Sequence, residues 1–201
     1  NSNYASSKLD REINILKNFP LATILRPSVV YSVDDNFTTN FMTLLNRLPF
    51  FPLYYNGDTK FVPIHCSDLT DIILHVISNN IYSKVIECVG PEIMTLKEII
   101  QKLSSLIDKK RMLIPLPLPL ARASARFFEV MPKPLLTRDQ LKLLKYDNIA
   151  SGKYKTNSDI GLPSIRYFEQ EVKKYCYMWR EGGQFSTEKY AFKKDSNNKI
   201  N

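Results

Sequence analysis

Residues 4–31 read YASSKLDREINILKNFPLATILRPSVVY, and the order of patterns in this stretch decides the fold. From Tyr4 to Phe19 the apolar residues Leu9, Ile13 and Leu16 recur at helical spacing, and Pro20, which has no N–H to donate, ends the helix. Leu21 to Tyr31 is then an almost continuous run of aliphatic and β-branched side chains. That pattern suits a parallel strand covered on both faces rather than a half-solvated one. A helix feeding straight into a buried strand is the repeating unit of an α/β sheet.

The same alternation continues outward from this stretch. Asp34 and Asp35 offer an N-cap to a helix over Asn36–Arg47, and LPFFPLYYNGD (48–58) reads as a proline-punctuated loop closing in a turn at Asn56-Gly57. A short strand follows at Lys60–His65, and Ser67 or Asp68 can cap a helix from Leu69 to Ser78. Val85–Val89 is a second apolar strand ending at Gly90-Pro91, and Thr95 with Glu98 forms a capping box for a helix over Leu96–Ile107. After Lys109 the character changes. A Pro-rich stretch leads to helical patterns around Leu120–Met131 and Thr137–Leu144, then a turn-rich segment from Asn148 to Pro163. A last helix is expected near Ser164–Arg180, with a polar, frayed tail from Glu181. The expected organisation is therefore an α/β unit over 1–108, a small helical subdomain over 109–180 and a flexible tail over 181–201.

Composition narrows the class. The 201 residues carry a net charge of +8, with 44% hydrophobic and 24% charged residues, which is globular and neither disordered nor low-complexity. The charge is spread along the chain rather than gathered in one arm. No uninterrupted apolar run approaches the roughly 18 residues of a spanning helix, since Met112 to Leu120 is broken by Pro115, Pro117 and Pro119. Cys66, Cys88 and Cys176 are an odd, widely spaced set that suits buried thiols rather than a disulfide framework. With His65 and His75 as the only histidines, no spacing builds a tetrahedral zinc site, so no metal is expected. The start, Asn-Ser-Asn-Tyr, has neither a Met nor a signal-peptide pattern and reads as a fragment or an internal start.

The chemistry concentrates in Tyr4-Ala5-Ser6-Ser7-Lys8, which places a phenol and an ammonium one turn apart on one helical face. A nearby ammonium stabilises the phenolate and lowers a pKa near 10 toward a range where tyrosine exchanges a proton with a carbinol oxygen. The lysine can also donate to ribose hydroxyls. Many helices carry this spacing by chance. It gains weight here because the helix leads into a strand ending in Arg26-Pro27-Ser28-Val29-Val30-Tyr31, and ligands of open α/β sheets bind at the carboxyl ends of strands. Other features have plain readings. Glu12 makes a helical ion pair with Lys8, and His65 with Asp68 is a buried histidine beside an N-cap. Lys109, Lys110, Arg111, Arg122, Arg126 and Arg138 around apolar 109–138 form either a solvated face or a docking surface for a partner subunit or anionic lipid headgroups. No nucleic-acid recognition motif is present.

These residues carry a resemblance. Tyr4-x-x-x-Lys8, ILRPSVVYSVDDNF (24–37), KFVPIHCSDLTDII (60–73) and VGPEIMTLKEII (89–100) resemble the second half of an extended or atypical short-chain dehydrogenase/reductase, the NAD-dependent epimerase/dehydratase superfamily. PLPLARASARFFEVMPKPLLTRDQLKLLKYDN (117–148), followed by KKYCYMWR (173–180), resembles more specifically the nucleotide-binding accessory subunit of respiratory complex I, NADH:ubiquinone oxidoreductase, and its bacterial relatives. The resemblance implies an α/β fold, the C-terminal half of a Rossmann-like doubly wound parallel sheet, with a small helical C-terminal subdomain. It implies that Tyr4 and Lys8 occupy the family's catalytic-type positions and that Pro27, Ser28, Val29 and Val30 face the nicotinamide carboxamide of NADP or NAD.

Two departures qualify it. The six glycines form no G-x-G-x-x-G, so the phosphate-cradling loop that relatives carry in their first half is not in this chain. Ser32-Val33-Asp34 also stands where many extended reductases have Gly-Pro. Two functions follow from the resemblance. One is an NAD(P)H-binding accessory or assembly subunit among the other subunits of complex I. Its place would be peripheral, on the matrix side of the mitochondrial inner membrane or the cytoplasmic face of a bacterial one. The other is a soluble NAD(P)-dependent reductase, epimerase or dehydratase acting on a nucleotide-sugar or steroid-like alcohol, with Tyr4 as acid/base and Lys8 tuning it. Whether the chain is an enzyme stays open between them.

Overall fold

The computed structural model describes residues 3–117 and 142–186, with side chains in the first helix described from Ser6 onward. Helix α1 spans Asn3–Asn18 and stops where Pro20 requires. The apolar run after it forms two strands rather than one, β1 (Ile24–Pro27) and β2 (Val30–Tyr31). Ser28 and Val29 lie between them and switch partners: Ser28 N–H donates to Cys88 O at 2.9 Å, and Val29 O accepts from Ile64 N–H at 2.9 Å. Helix α2 (Thr38–Arg47) begins two residues later than expected, because Asp35 does the capping from before its first turn. Its carboxylate accepts from Phe37 N–H and Thr39 N–H, both at 3.0 Å.

The segment expected to be a loop is a strand. β3 (Phe50–Tyr54) pairs in parallel with β8 (Met112–Leu116), so two stretches read as proline-broken coil are partners. Among the described residues each has its ladder on one side only, and proline is tolerated there because its missing N–H can face away from the partner. Lys60–His65 likewise divides at Val62-Pro63 into β4 (Lys60–Phe61) and β5 (Ile64–His65). Helix α3 (Cys66–Ser78) is capped by neither Ser67 nor Asp68: His65 Nδ1 accepts from Ser67 N–H at 3.3 Å. After β6 (Val85–Cys88) and β7 (Met94–Thr95), α4 (Leu96–Leu106) carries the expected capping box of Thr95 and Glu98.

The principal sheet runs β1-β6-β9, all parallel, where β9 is Lys155–Thr156 in the segment read as turn-rich. β2 pairs with β5 in parallel, and β4 with β7 antiparallel. The expected last helix is shorter, α5 (Phe168–Lys173), followed by a 3₁₀ turn over Cys176–Trp179. The tail does not fray at Glu181. Phe185 N–H donates to Met178 O at 2.8 Å and its ring lies 4.7 Å from Trp179. The helices expected at Leu120–Met131 and Thr137–Leu144 lie outside the described residues apart from 142–144, as do the tail beyond 186 and the basic residues Arg122, Arg126 and Arg138.

Two cores hold the molecule. The larger packs Leu96, Ile99, Ile100, Leu103 and Ile107 of α4 and its C-cap against Met42 and Leu45 of α2, Phe51 and Leu53 of β3, and Phe168, Val172 and Trp179. The smaller packs Ile72 and Val76 of α3 on Ile64, Ile86 and Cys88. The boundary expected near 108 is therefore crossed by strands and core alike: β8 joins β3, β9 joins β6, and α5 closes the larger core. Gly90 marks the tightest approach between strand ends, its N–H donating to Val62 O at 3.2 Å. A Cβ at this position would stand 1.8 Å from Pro63 O. Gly90→Ala should therefore lower the urea midpoint, followed by the emission of Trp179, far more than Thr95→Ala, whose lost capping box costs about 1 kcal/mol. Equal midpoints for the two variants would contradict the close approach.

Candidate functional site

The segments expected to form the site lie on α1 and around the end of β1. Tyr4 lies on the first turn of α1 and Lys8 on the next, exposed. Beyond β1, Pro27 is exposed, Ser28 is buried, and Val29 and Val30 are half-buried. Ser28 is committed on both sides, since its Oγ donates to Asn148 O at 3.2 Å and its N–H is the bond to Cys88 already described. The backbone of 27–30 is thus fixed by its neighbours on β6 and β5, as a rigid ledge must be. Helix α1 is not packed in the same way. Leu9 is 53% exposed and Ile13 is 55% exposed, so its apolar stripe is largely bare.

An ion pair that no local spacing signals ties α1 to the sheet. Glu12, expected to pair with Lys8 along the helix, turns both oxygens to Arg26 of β1. Arg26 Nη2 is 2.6 Å from Oε2, and Nε lies 3.1 Å and 3.2 Å from Oε1 and Oε2. One face of the guanidinium lies over the Tyr154 ring, 4.6 Å from its centroid. The bond to Glu12, with help from Tyr154, holds Arg26 above its usual pKa.

A second polar cluster gathers at the ends of β2 and β5. Tyr31, fully buried, donates its O–H to Arg166 O at 3.2 Å, and its ring meets His65 at 5.2 Å and Phe168 at 5.0 Å. Burial pushes this phenol far up, and Tyr175 likewise, so both act as hydrogen-bonding groups rather than proton carriers. Asp68, expected as a cap, instead binds Arg166, whose N–H donates to Asp68 Oδ2 at 3.1 Å and whose guanidinium also reaches Asp71 at 2.9 Å. Asn157 is fully buried. Its Oδ1 accepts from Val89 N–H at 2.8 Å, and its amide donates to Leu162 O at 3.2 Å and Ser164 Oγ at 3.1 Å. Asp68–Arg166 has no local sequence signal, and neither has the bond from Val89 to Asn157, because the partners are 98 and 68 residues apart.

The turn after Tyr31 is built without the reductases' glycine and proline. Ser32 N–H donates to Asp35 Oδ2 at 3.1 Å and Asp34 N–H to Ser32 Oγ at 3.3 Å, so two polar side chains shape it. At the far end of α4, Lys109, Lys110 and Arg111 line a cleft of about 480 Å³ with Gln101, Ser104 and Asp108. Arg111 is engaged there, donating to Leu45 O at 2.7 Å.

The fold is that of the second half of a Rossmann-like α/β sheet. Solved structures agree. An NAD complex of dTDP-glucose 4,6-dehydratase from Bacillus anthracis superposes with a TM-score of 0.61 over 92% of this chain and 53% of that one, at 17% identity. The NADPH complex of RMD from Pseudomonas aeruginosa gives 0.58 over 89% and 55%, at 12% identity. No family model matches the chain. Among curated proteins it is similar to the mitochondrial NADH dehydrogenase [ubiquinone] 1 alpha subcomplex subunit 9 of Arabidopsis thaliana, 27% identical over 88% of this chain and 46% of that protein. The protein of the same name from Dictyostelium discoideum is 26% identical over 89% and 49%. The 40 kDa subunit of NADH-ubiquinone oxidoreductase from Neurospora crassa is 24% identical over 72% and 38%. The chain thus spans about half the length, or less, of the curated relatives it matches.

His65 offers a test of this geometry. Burial holds its imidazole below the ordinary 6.5, while Glu171, whose carboxylate lies 3.9 Å from Nε2, pulls the other way. With the folded value depressed, the unfolded chain takes up the proton first. The contribution of His65 to stability is full above pH 6.5 and is lost as pH falls from there through the lower folded value. His65→Asn, a non-titrating cap, should flatten that part of the pH dependence in urea melts. A dependence unchanged by the substitution would assign it to another group.

Proposed function

We propose that this chain is the nicotinamide-facing half of an NAD(P)H-binding accessory subunit of NADH:ubiquinone oxidoreductase, a reductase-like fold used for binding and assembly. The observation that carries the reading is the similarity to two mitochondrial subunits of that enzyme over 88% and 89% of the chain. Supporting it, two solved structures with this fold hold NAD or NADPH. In this reading Lys8 donates to the ribose hydroxyls of the bound nucleotide, the Tyr4 hydroxyl sits beside it, and the ledge Pro27, Ser28, Val29 and Val30 lies against the carboxamide. The pyrophosphate needs a glycine-rich loop that these residues do not contain. An α/β layer laid along the open edge of β1 and the bare stripe of α1 would supply it.

The partners are the other subunits of the complex. The location is peripheral, on the matrix side of the inner membrane, and no helix among the described residues is long and apolar enough to cross one. Lys109 and Lys110 lie beside Met112, 70% exposed, and Phe50, 50% exposed, a mixture of charge and apolar surface that suits anionic lipid headgroups at that membrane. The fold of the dehydratase neighbour favours a second reading, a soluble NAD(P)-dependent reductase, epimerase or dehydratase in which Tyr4 exchanges a proton with a substrate carbinol.

The two separate in one experiment. The full-length protein, purified from native membranes in mild detergent, should migrate with NADH dehydrogenase activity and release stoichiometric nicotinamide nucleotide on denaturation. Lys8→Ala should lose the nucleotide while the protein still assembles. A soluble protein that exchanges and consumes its nucleotide away from the complex would establish the second reading.

A further inference from the structure

Tyr4, Lys8 and Glu12 occupy successive turns of α1 on one face, because residues four apart in a helix lie almost above one another. Any group that fixes Glu12 relative to the sheet therefore fixes the direction in which the stripe bearing Tyr4 and Lys8 is presented. Arg26 is that group. Its fork closes on both carboxylate oxygens along one edge, and one face lies over the Tyr154 ring, so the guanidinium is engaged by edge and by face. The Arg26 and Glu12 side chains are 33% and 22% exposed, well short of a free surface pair.

The platform under Arg26 is itself anchored. Tyr154 directly precedes β9, whose Lys155 and Thr156 pair with Ile86 and Glu87 of β6. Upstream, Ser151 N–H donates to the Glu87 carboxylate at 2.8 Å. Arg26 stands opposite Glu87 in the β1–β6 register. One line of contacts thus runs from β9 to the ring of Tyr154, to Arg26 on β1, and to Glu12 on α1. The apolar stripe of α1 cannot do this work, since greasy packing tolerates rotation and sliding, whereas a bidentate fork admits essentially one geometry.

We propose that Arg26 is a positioning residue for the nucleotide site: clamped between Glu12 and Tyr154, it sets the rotation of α1 and so aims Lys8 and Tyr4 at a ligand lying beyond β1. The inference rests on the nucleotide-binding reading above. It assigns Arg26, Glu12 and Tyr154 no contact with the ligand.

The test uses the full-length protein, titrated with NADPH and separately with NADH while the nicotinamide fluorescence is followed. Arg26→Lys keeps the charge but loses the fork and the stacking, and Tyr154→Leu removes the platform. Each should weaken binding about tenfold and alter the emission of whatever nucleotide remains bound. Tyr154→Phe keeps the ring and should bind close to the unaltered protein. Thermal melts without nucleotide accompany each variant. If Arg26→Lys and Tyr154→Leu bind as tightly as the unaltered protein, with the same emission, the clamp is overturned and the nucleotide reading stands. Affinity losses that simply track the ligand-free melting point across all three variants would also overturn it, as a structural effect alone. If the unaltered protein binds neither NADPH nor NADH, the nucleotide reading itself fails and takes the clamp's role with it.

Discussion

The structure depends on a strand with a neighbour on one side only. β1 lies in register on β6, Ile24 to Val85 through Pro27 to Cys88, and among the described residues no strand pairs with its other edge. Parallel strands are normally buried on both faces and flanked on both edges, since an open edge leaves a row of donors and acceptors to water. Helix α1, which leads into β1, repeats the imbalance with a bare apolar stripe. A second α/β layer meets both demands at once, which is why the comparison with proteins about twice as long carries physical meaning. The same β1 strand carries Arg26, whose pair with Glu12 ties α1 to the sheet, and leads into residues 27–30.

Much of this could be read from the sequence, and the failures share a cause. The first helix, the Thr95/Glu98 box and the α/β class were legible because each is written in local spacing. The β3–β8 pair was not, because Pro52 and Pro115 obscured both strands and the residues joined are about sixty positions apart. The single long strand expected over 21–31 divided where Ser28 hands the chain from one partner to another. His65 displaced the expected caps because the helix starts earlier, at Cys66, which leaves Ser67 and Asp68 within its first turn, while Asp68 was drawn to Arg166 ninety-eight residues away. For the site, the Tyr4/Lys8 turn and the 27–30 ledge were visible as motifs. The Glu12–Arg26 pair was invisible, since a helical Glu-Lys spacing predicts a pair within the helix and gives no hint of Arg26.

The two polar clusters do different work, and their electrostatics show it. At the ends of β2 and β5 the tyrosines are buried and held protonated, the histidine caps a helix, and Asp68 is neutralised by Arg166. Every charge there is matched by a partner from another element, as expected of groups that fasten α3 and α5 to the sheet rather than exchange protons with a ligand. Removing one partner from such a pair would expose the cost of burying the other. A proton-transfer site needs the opposite arrangement, a titratable group near solvent with a neighbour that stabilises its charged form. Among the residues singled out from the sequence, the Tyr-x-x-x-Lys spacing of Tyr4 and Lys8 is the composition proposed for such a role.

That composition does not by itself decide between binding and turnover. A lysine that donates to ribose hydroxyls and a phenol beside it are used in the same geometry whether or not hydride ever leaves the nicotinamide, so both readings call for the same pair. Turnover asks for more: an opening beyond the ledge for an alcohol, and a turn after Tyr31 that admits it. Here that turn is drawn in by Ser32 and Asp35, whose hydrogen bonds tie the chain into the start of α2 where related reductases use glycine and proline. Polar side chains that spend their hydrogen bonds on their own backbone are poor hosts for a substrate. This local hydrogen bonding counts in favour of the proposed binding role over turnover.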